Sequence, residues 1–214
     1  MSSFSFKSKF ITVEGSEGVG KSTQLQQIAS KIEHTGCKVL LTREPGGTKL
    51  GEKIRELILY DKEPITPTAE LLLIFAARAQ HLQKVVKPAL SEGVCVISDR
   101  YIDSSFAYQG GGRGLDFSLI EQLVSLIDAP IPDCTILLDT NNVEKALERA
   151  KTVSPTDVND KIESEKLTFF DNVRQAYLQR AFENSYIHIV SANDTVENVT
   201  AKIFKVLDEY AASA

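Results

Sequence analysis

The segment Gly15-Ser16-Glu17-Gly18-Val19-Gly20-Lys21-Ser22 constrains the fold more than any other stretch of the chain. Its glycine spacing lets backbone N–H groups wrap an anion, and it works only between a strand and the N-terminus of a helix. Both flanks are present: Phe10-Ile11-Thr12-Val13 is a short apolar run, and apolar residues take up helical spacing from Lys21 onward. In that setting the stretch Gly15, Ser16, Glu17, Gly18, Val19, Gly20, Lys21, Ser22 and Thr23 is expected to cradle nucleotide phosphates. Lys21 would reach the β- and γ-phosphates, and the Ser22 hydroxyl would ligate Mg²⁺.

The rest of the chain repeats the same alternation. Apolar, β-branched runs at Phe10–Val13, Val39–Thr42, Val94–Ser98, Thr135–Leu138 and Ile187–Val190 read as strands. Helical spacing covers Lys21–Thr35, Thr48–Tyr60, Thr68–Leu90, Phe117–Ile127, Val143–Ala150, Glu163–Phe182 and Thr195–Tyr210. Thr66 before Pro67 suits a helix start, Asp194 with Glu197 resembles a capping box, and Gly36 and Gly93 fit helix ends. Strands without polar alternation are those of a sheet covered on both faces. The expected class is therefore α/β: a three-layer P-loop NTPase fold with a five-stranded parallel sheet flanked by helices. Gln109–Gly114 and Lys151–Asp160 read as loops, where ligand contacts concentrate.

A chain of 214 residues fits a single domain over 1–214. Its net charge of −5 argues against a nucleic-acid partner, and no apolar run approaches the ~18 residues of a membrane helix. With no apolar leader, a cytoplasmic location is expected. Cys37, Cys95 and Cys134 lack paired spacing and read as reduced, buried thiols; His34, His81 and His188 lack metal-ligand spacing.

Further chemistry gathers at the C-terminal ends of the strands, where such sheets bind ligands. Asp99-Arg100 ends the third strand; Asp99 is placed to act on the Mg²⁺ shell and Arg100 to meet phosphate. After the second strand, Arg43-Glu44-Pro45-Gly46-Gly47 forms a second candidate binding loop, with Arg55 in the helix beyond it.

Taken in order, Glu14 to Thr23, Arg43 to Gly47, Phe75-Ala76-Ala77-Arg78, Asp99-Arg100-Tyr101, Ser104 to Gly110 and Asp160 to Glu163 resemble the motifs of bacterial-type thymidylate kinases, over roughly residues 8 to 210. The resemblance implies a nucleoside-monophosphate-kinase domain with a lid at about residues 149–162. Its activity would be transfer of the ATP γ-phosphoryl group to dTMP, giving dTDP and ADP on the way to dTTP. Mg²⁺ is the implied cofactor and a homodimer the implied assembly.

It also implies residue roles. Glu17 would meet the sugar 3′-hydroxyl and the acceptor. Phe75, Arg78, Ser105 and Gln109 would read the base, with Ile74 the alternative to Phe75, because in some relatives the stacking aromatic stands one residue earlier. Arg43, Arg55 and Arg100 would hold the acceptor phosphate, Glu44 and Pro45 would belong to the same dTMP site, Glu163 would face the metal, and Ser191-Ala192-Asn193 would lie by adenine. Lys21, Glu17, Arg100 and the lid residue Arg149 make up the implied catalytic set; Lys151 and Lys161 stand where the family often has arginine. Other nucleotide kinases share the loop and the Asp99-Arg100 pair. A GTPase switch does not fit, since D-x-x-G and N-K-x-D are both absent.

Overall fold

The computed structural model describes residues 6–61, 63–153, 162 and 165–213. Five strands, β1 (Phe10–Glu14), β2 (Val39–Arg43), β3 (Cys95–Asp99), β4 (Cys134–Asp139) and β5 (Ile187–Ser191), form one sheet in the order β2-β3-β1-β4-β5. Every pairing is parallel, as the short unbroken apolar runs require. All five residues of β1 are buried, whereas the edge strands β2 and β5 are partly open. The strand carrying the glycine-rich loop thus lies at the centre of the sheet, with β3 and β4 on either side.

On one face, α1 (Lys21–Glu33) and α9 (Val196–Ser213) pack Leu25, Ile28, Ile32, Ile203 and Leu207 against Ile11, Val13, Ile97 and Ile136. The other face is covered by α3 (Pro67–His81), α4 (Lys87–Ser91), α5 (Ile102–Ser105), α6 (Phe117–Leu126) and α8 (Leu167–Glu183). The remaining helices are α2 (Lys49–Tyr60) and α7 (Val143–Val153). Cys37, Cys95 and Cys134 are free and buried, and burial pushes the Cys95 and Cys134 thiols up to about 12. Among the described residues no helix is long and apolar enough to cross a membrane.

Thr66 caps α3 through its hydroxyl, with Pro67 in the first turn, as read from sequence. The cap of α9 differs: the Thr195 hydroxyl, not Asp194, accepts from the helix, taking the N–H of Asn198 at 3.3 Å. Asp194 instead holds Lys202 and Asn198 from outside the first turn. The stretch expected as one helix to Leu90 is continuous but widens into a π turn at Leu82–Val86 before α4. Helix α7 extends three residues beyond the expected Ala150, and α8 begins at Leu167 rather than Glu163, which lies outside the described residues.

The largest departure concerns Gln109–Gly114. Instead of a loop, Phe106–Gly112 forms a second π-helical segment continuous with α5. Its glycines serve contact rather than flexibility. A methyl group on Gly110 would overlap the Phe117 ring, one on Gly112 the Phe169 ring, and one on Gly111 would stand 2.6 Å from the Ala176 Cβ and 2.7 Å from the Asn172 carbonyl oxygen of α8. The segment therefore lies directly on α8. Gly111→Ala is expected to destabilise the fold by about 1–3 kcal/mol, the usual cost of overpacking, measured as a lower midpoint in denaturant.

Candidate active site

The ends of β1, β2 and β3 open into one cleft of about 610 Å³. It brings together Glu17, Gly18, Gly20, Lys21, Ser22 and Thr23 of the glycine-rich loop with Glu44, Pro45, Arg55, Arg78, Asp99, Arg100, Ser105, Gln109 and Arg149. Gly15, Ser16 and Val19 of the same loop are buried and do not line the cleft. Arg43 stands outside the cleft wall, pairing on the surface with Glu52 at 2.8 Å.

The loop folds as its glycines permit: Gly15, Gly18 and Gly20 have φ values of 137°, 69° and 92°. Any side chain at Gly18 would overlap the carbonyl of Ala146, so α7, the helix leading to the expected lid, packs on the loop's backbone. The Lys21 ammonium folds back to donate to the carbonyls of Gly15 at 3.0 Å and Ser16 at 2.8 Å. Burial, and next the nearby charge of Arg100, lower its pKa to about 8. Arg55 is likewise held below its ordinary value, by burial and then by Arg43 and Arg100. Cations that repel one another in one crevice make a site that an anion stabilises.

Arg100 ties the site together. Its guanidinium donates to the Gly15 carbonyl at 3.0 Å, the Glu17 carboxylate at 2.7 Å and the hydroxyls of Tyr108 at 2.9 Å, Tyr177 at 3.2 Å and Ser104 at 3.3 Å. Glu17 also accepts from the Tyr108 hydroxyl at 2.7 Å. Beneath them, Glu14 accepts from the Tyr101 N–H and from the Ser104 and Tyr177 hydroxyls, and burial followed by the charge of Asp103 pushes its carboxyl up to about 7. Asp99 contributes a buried Oδ1 with no hydrogen-bond partner among the described residues.

At the other end of the cleft, Arg78 is buried and clamped. It donates to Glu44 at 2.6 Å, Ser105 at 3.0 Å and the Tyr101 carbonyl at 2.9 Å. Glu44 also accepts from the His81 ring at 2.9 Å, and a cis peptide joins Glu44 to Pro45. Phe75 does not line the cleft. It is buried beside Leu71, Phe106 and Ile120, and its ring supports the Arg78 guanidinium at 4.7 Å. Ile74, turned by the ~100° that separates neighbours on a helix, occupies the wall instead. Gln109 is buried with its amide nitrogen on Glu70 at 2.8 Å. Glu163 and Lys161 lie outside the described residues, and Asn193 is held by Thr140 and Asn141 at the end of β4.

Sequence reasoning missed Glu14, Glu70, Ser104, Tyr108 and Tyr177. Glu14, Ser104 and Tyr108 stood inside motifs whose neighbours took the attention. Nothing in the sequence marked Tyr177 or Glu70, whose partners come from elements far apart along the chain.

A glycine-rich loop on the central strand, a lysine and arginines converging on its mouth, and a polar wall of Glu44, Arg78, Ser105 and Gln109 across the same cleft define a P-loop phosphotransferase. Comparison with known proteins narrows the class. A family model described as thymidylate kinase matches residues 13–203. The thymidylate kinase of Ectopseudomonas mendocina is 47% identical over 201 residues, covering 92% of this chain and 94% of the relative. That of Hahella chejuensis is 46% identical, with coverage of 92% and 94%. The crystal structure of thymidylate kinase from Ehrlichia chaffeensis superposes with a TM-score of 0.77 at 34% identity, covering 94% of this chain and 99% of that one. The chain belongs to the thymidylate kinase family.

The depressed pKa of Lys21 has a measurable consequence. In the free enzyme the ammonium is charged below pH about 8 and neutral above it, and a bound triphosphate holds the proton on. The pH profile of kcat/KM for the phosphoryl donor, which reports the free enzyme, is expected to fall with an alkaline limb near pH 8. The limb in kcat at saturating donor should lie at higher pH.

Proposed function

We propose that this cleft transfers the γ-phosphoryl group of ATP to thymidine monophosphate, giving ADP and thymidine diphosphate. The observation that carries the reading is that the phosphate loop and the Arg78–Gln109 wall face one cavity, so donor and acceptor meet with their reacting ends between Lys21, Arg55 and Arg100.

ATP phosphates lie along the backbone of Gly15–Thr23, with Lys21 leaving the Gly15 and Ser16 carbonyls for a phosphate oxygen. Arg55 and Arg100 hold the acceptor phosphate, and Arg43, outside the cleft wall, joins them only on leaving Glu52. Their charge offsets repulsion between two anions and orients the attacking oxygen for in-line transfer. A phosphate dianion is already a nucleophile, so no general base is assigned. Glu17, fixed by Arg100 and Tyr108, accepts from the sugar 3′-hydroxyl. Ile74 packs against the base, Phe75 steadies Arg78 behind it, and Arg78, Ser105 and Gln109 supply the polar contacts. Arg149, at the cleft edge on α7, neutralises charge on the transferring group.

Mg²⁺ fits the donors present. The unpartnered Asp99 Oδ1 and the Ser22 hydroxyl border the phosphate cradle, and no cluster of three His, Cys, Asp or Glu side chains exists among the described residues. Two oxygen donors, completed by water and phosphate, suit an ion that keeps much of its hydration shell. When bound it neutralises charge developing on the phosphates. Glu163 stands with Asp99 and Ser22 in this assignment on sequence grounds alone.

The same reading makes residues 1–214 one domain with a lid near 149–162. It makes the enzyme cytoplasmic, a location supported by the free state of all three buried thiols. A homodimer is supported by large apolar side chains left exposed on two helices, Leu72 on α3 and Leu126 on α6. Sedimentation is expected to give about twice the 23.6 kDa chain mass; a single species at 23.6 kDa would remove the dimer.

A coupled assay with each nucleoside monophosphate tests the activity: thymidine monophosphate should be the best acceptor, and preferential turnover of cytidine or uridine monophosphate would overturn the assignment. Lys21→Ala should lower kcat by about 10²–10³-fold, the effect of losing one preorganised charge, with an unchanged circular-dichroism spectrum.

A further inference from the structure

Gln109 is a glutamine whose two ends cannot be exchanged. An isolated amide presents either its oxygen or its nitrogen with little preference, so a glutamine facing a base could accept from thymine or donate to cytosine. Here the Nε2 group donates to Glu70 Oε1 at 2.8 Å. Both Glu70 oxygens also accept from Arg113, so the amide can meet this carboxylate only as a donor; its nitrogen end is turned to Glu70, and the oxygen is the end left for the cleft that Gln109 lines. Both side chains are almost fully buried, with Gln109 at 2% and Glu70 at 5% exposure. No water shell competes for the amide.

Glu70 is held in turn. Arg113 donates to its Oε1 at 3.3 Å and its Oε2 at 3.1 Å, and also pairs with Glu165. The Arg113 guanidinium rests on the Phe169 ring at 4.8 Å. A carboxylate buried in the first turn of α3 would be costly without a partner; Arg113, which can only donate, meets both of its oxygens and fixes them as acceptors. The π turns of Phe106–Gly112 aim Gln109 toward α3 while their glycines bed the segment on α8.

We propose that Glu70 is a positioning residue for base selection, locking the Gln109 amide with its oxygen toward the base. The site then takes pyrimidines that carry an N3–H, thymine and uracil, and turns away cytosine, whose N3 offers a lone pair to the same oxygen. The inference rests on the reading of Gln109 as base-facing. It adds that the residue's polarity is set from outside the cleft.

The test compares kcat/KM for thymidine and deoxycytidine monophosphates in wild type, E70Q, Q109A and the double variant E70Q/Q109E. In E70Q the introduced amide can donate or accept, the Gln109 amide is released to turn over, and the preference for thymidine monophosphate is expected to fall on the order of 10-fold, mainly through KM. In the double variant the donor lies on α3 and a carboxylate faces the base, so the preference should return. If E70Q does not fold, E70S, whose hydroxyl also donates or accepts, carries the same expectation.

Equal loss of kcat for both nucleotides in E70Q with the preference intact would make Glu70 merely structural and overturn the proposal. So would a preference lost in E70Q but not recovered in the double variant. An unchanged preference in Q109A would instead remove Gln109 from the base site, and the proposal with it.

Discussion

Arg100 sits at the end of β3 with a left-handed φ of 67°, a conformation that side chains other than glycine and asparagine seldom adopt. That backbone turn lets one guanidinium face the glycine-rich loop, α5, the π segment and α8 together. Four pieces of chain that share no sheet hydrogen bond are thereby fixed around one planar fork. Arginine suits this because its donors lie in a rigid plane and its charge does not titrate in the working range. Remove that centre and Glu17 loses its cationic partner, the Tyr108 and Tyr177 hydroxyls lose a shared donor, and the loop is no longer tied to the floor of the cleft.

The free site is built under electrostatic tension. Lys21 and Arg55 are held below their ordinary pKa, Glu14 is held above its own, and one oxygen of Asp99 has no partner among the described residues. Each departure results from taking charge out of water before its counter-charge has arrived. A polyanionic substrate would relieve the cationic strain, and on the proposed reading its metal ion would meet Asp99. The fold supplies the means to bear that tension, since β1, β3 and β4 are packed on both faces and their ends cannot relax toward solvent.

Local signals in the sequence carried the sheet and the loop. Short apolar runs can be strands only if both faces are covered, and a strand followed by Gly15 to Ser22 leaves few alternatives. What failed to show were features decided by contact between distant segments. Gly110-Gly111-Gly112 reads as a flexible loop because glycine permits many conformations; in the fold it is a packed π segment, since only hydrogen side chains fit against Phe117, Ala176 and Phe169. The family resemblance offered Phe75 or Ile74 for the base, and one residue of helix rotation puts Ile74 on the wall and the Phe75 ring in the core. Asp194 and Thr195 both have the chemistry of a cap, and the turn geometry selects Thr195. Glu70 and Tyr177 act through partners 39 and 163 positions away, a separation that no local window spans.

The three native cysteines lie inside the protein, and desolvation keeps the Cys95 and Cys134 thiols protonated at any ordinary pH. Thiol reagents attack the thiolate, so these two offer them almost nothing, and Cys37 is shielded by burial at 6% exposure. A single cysteine placed on the surface would then be the one site of reaction. The wild-type chain is thus already a quiet background for attaching a fluorophore or spin label beside the cleft, with no native thiol needing removal.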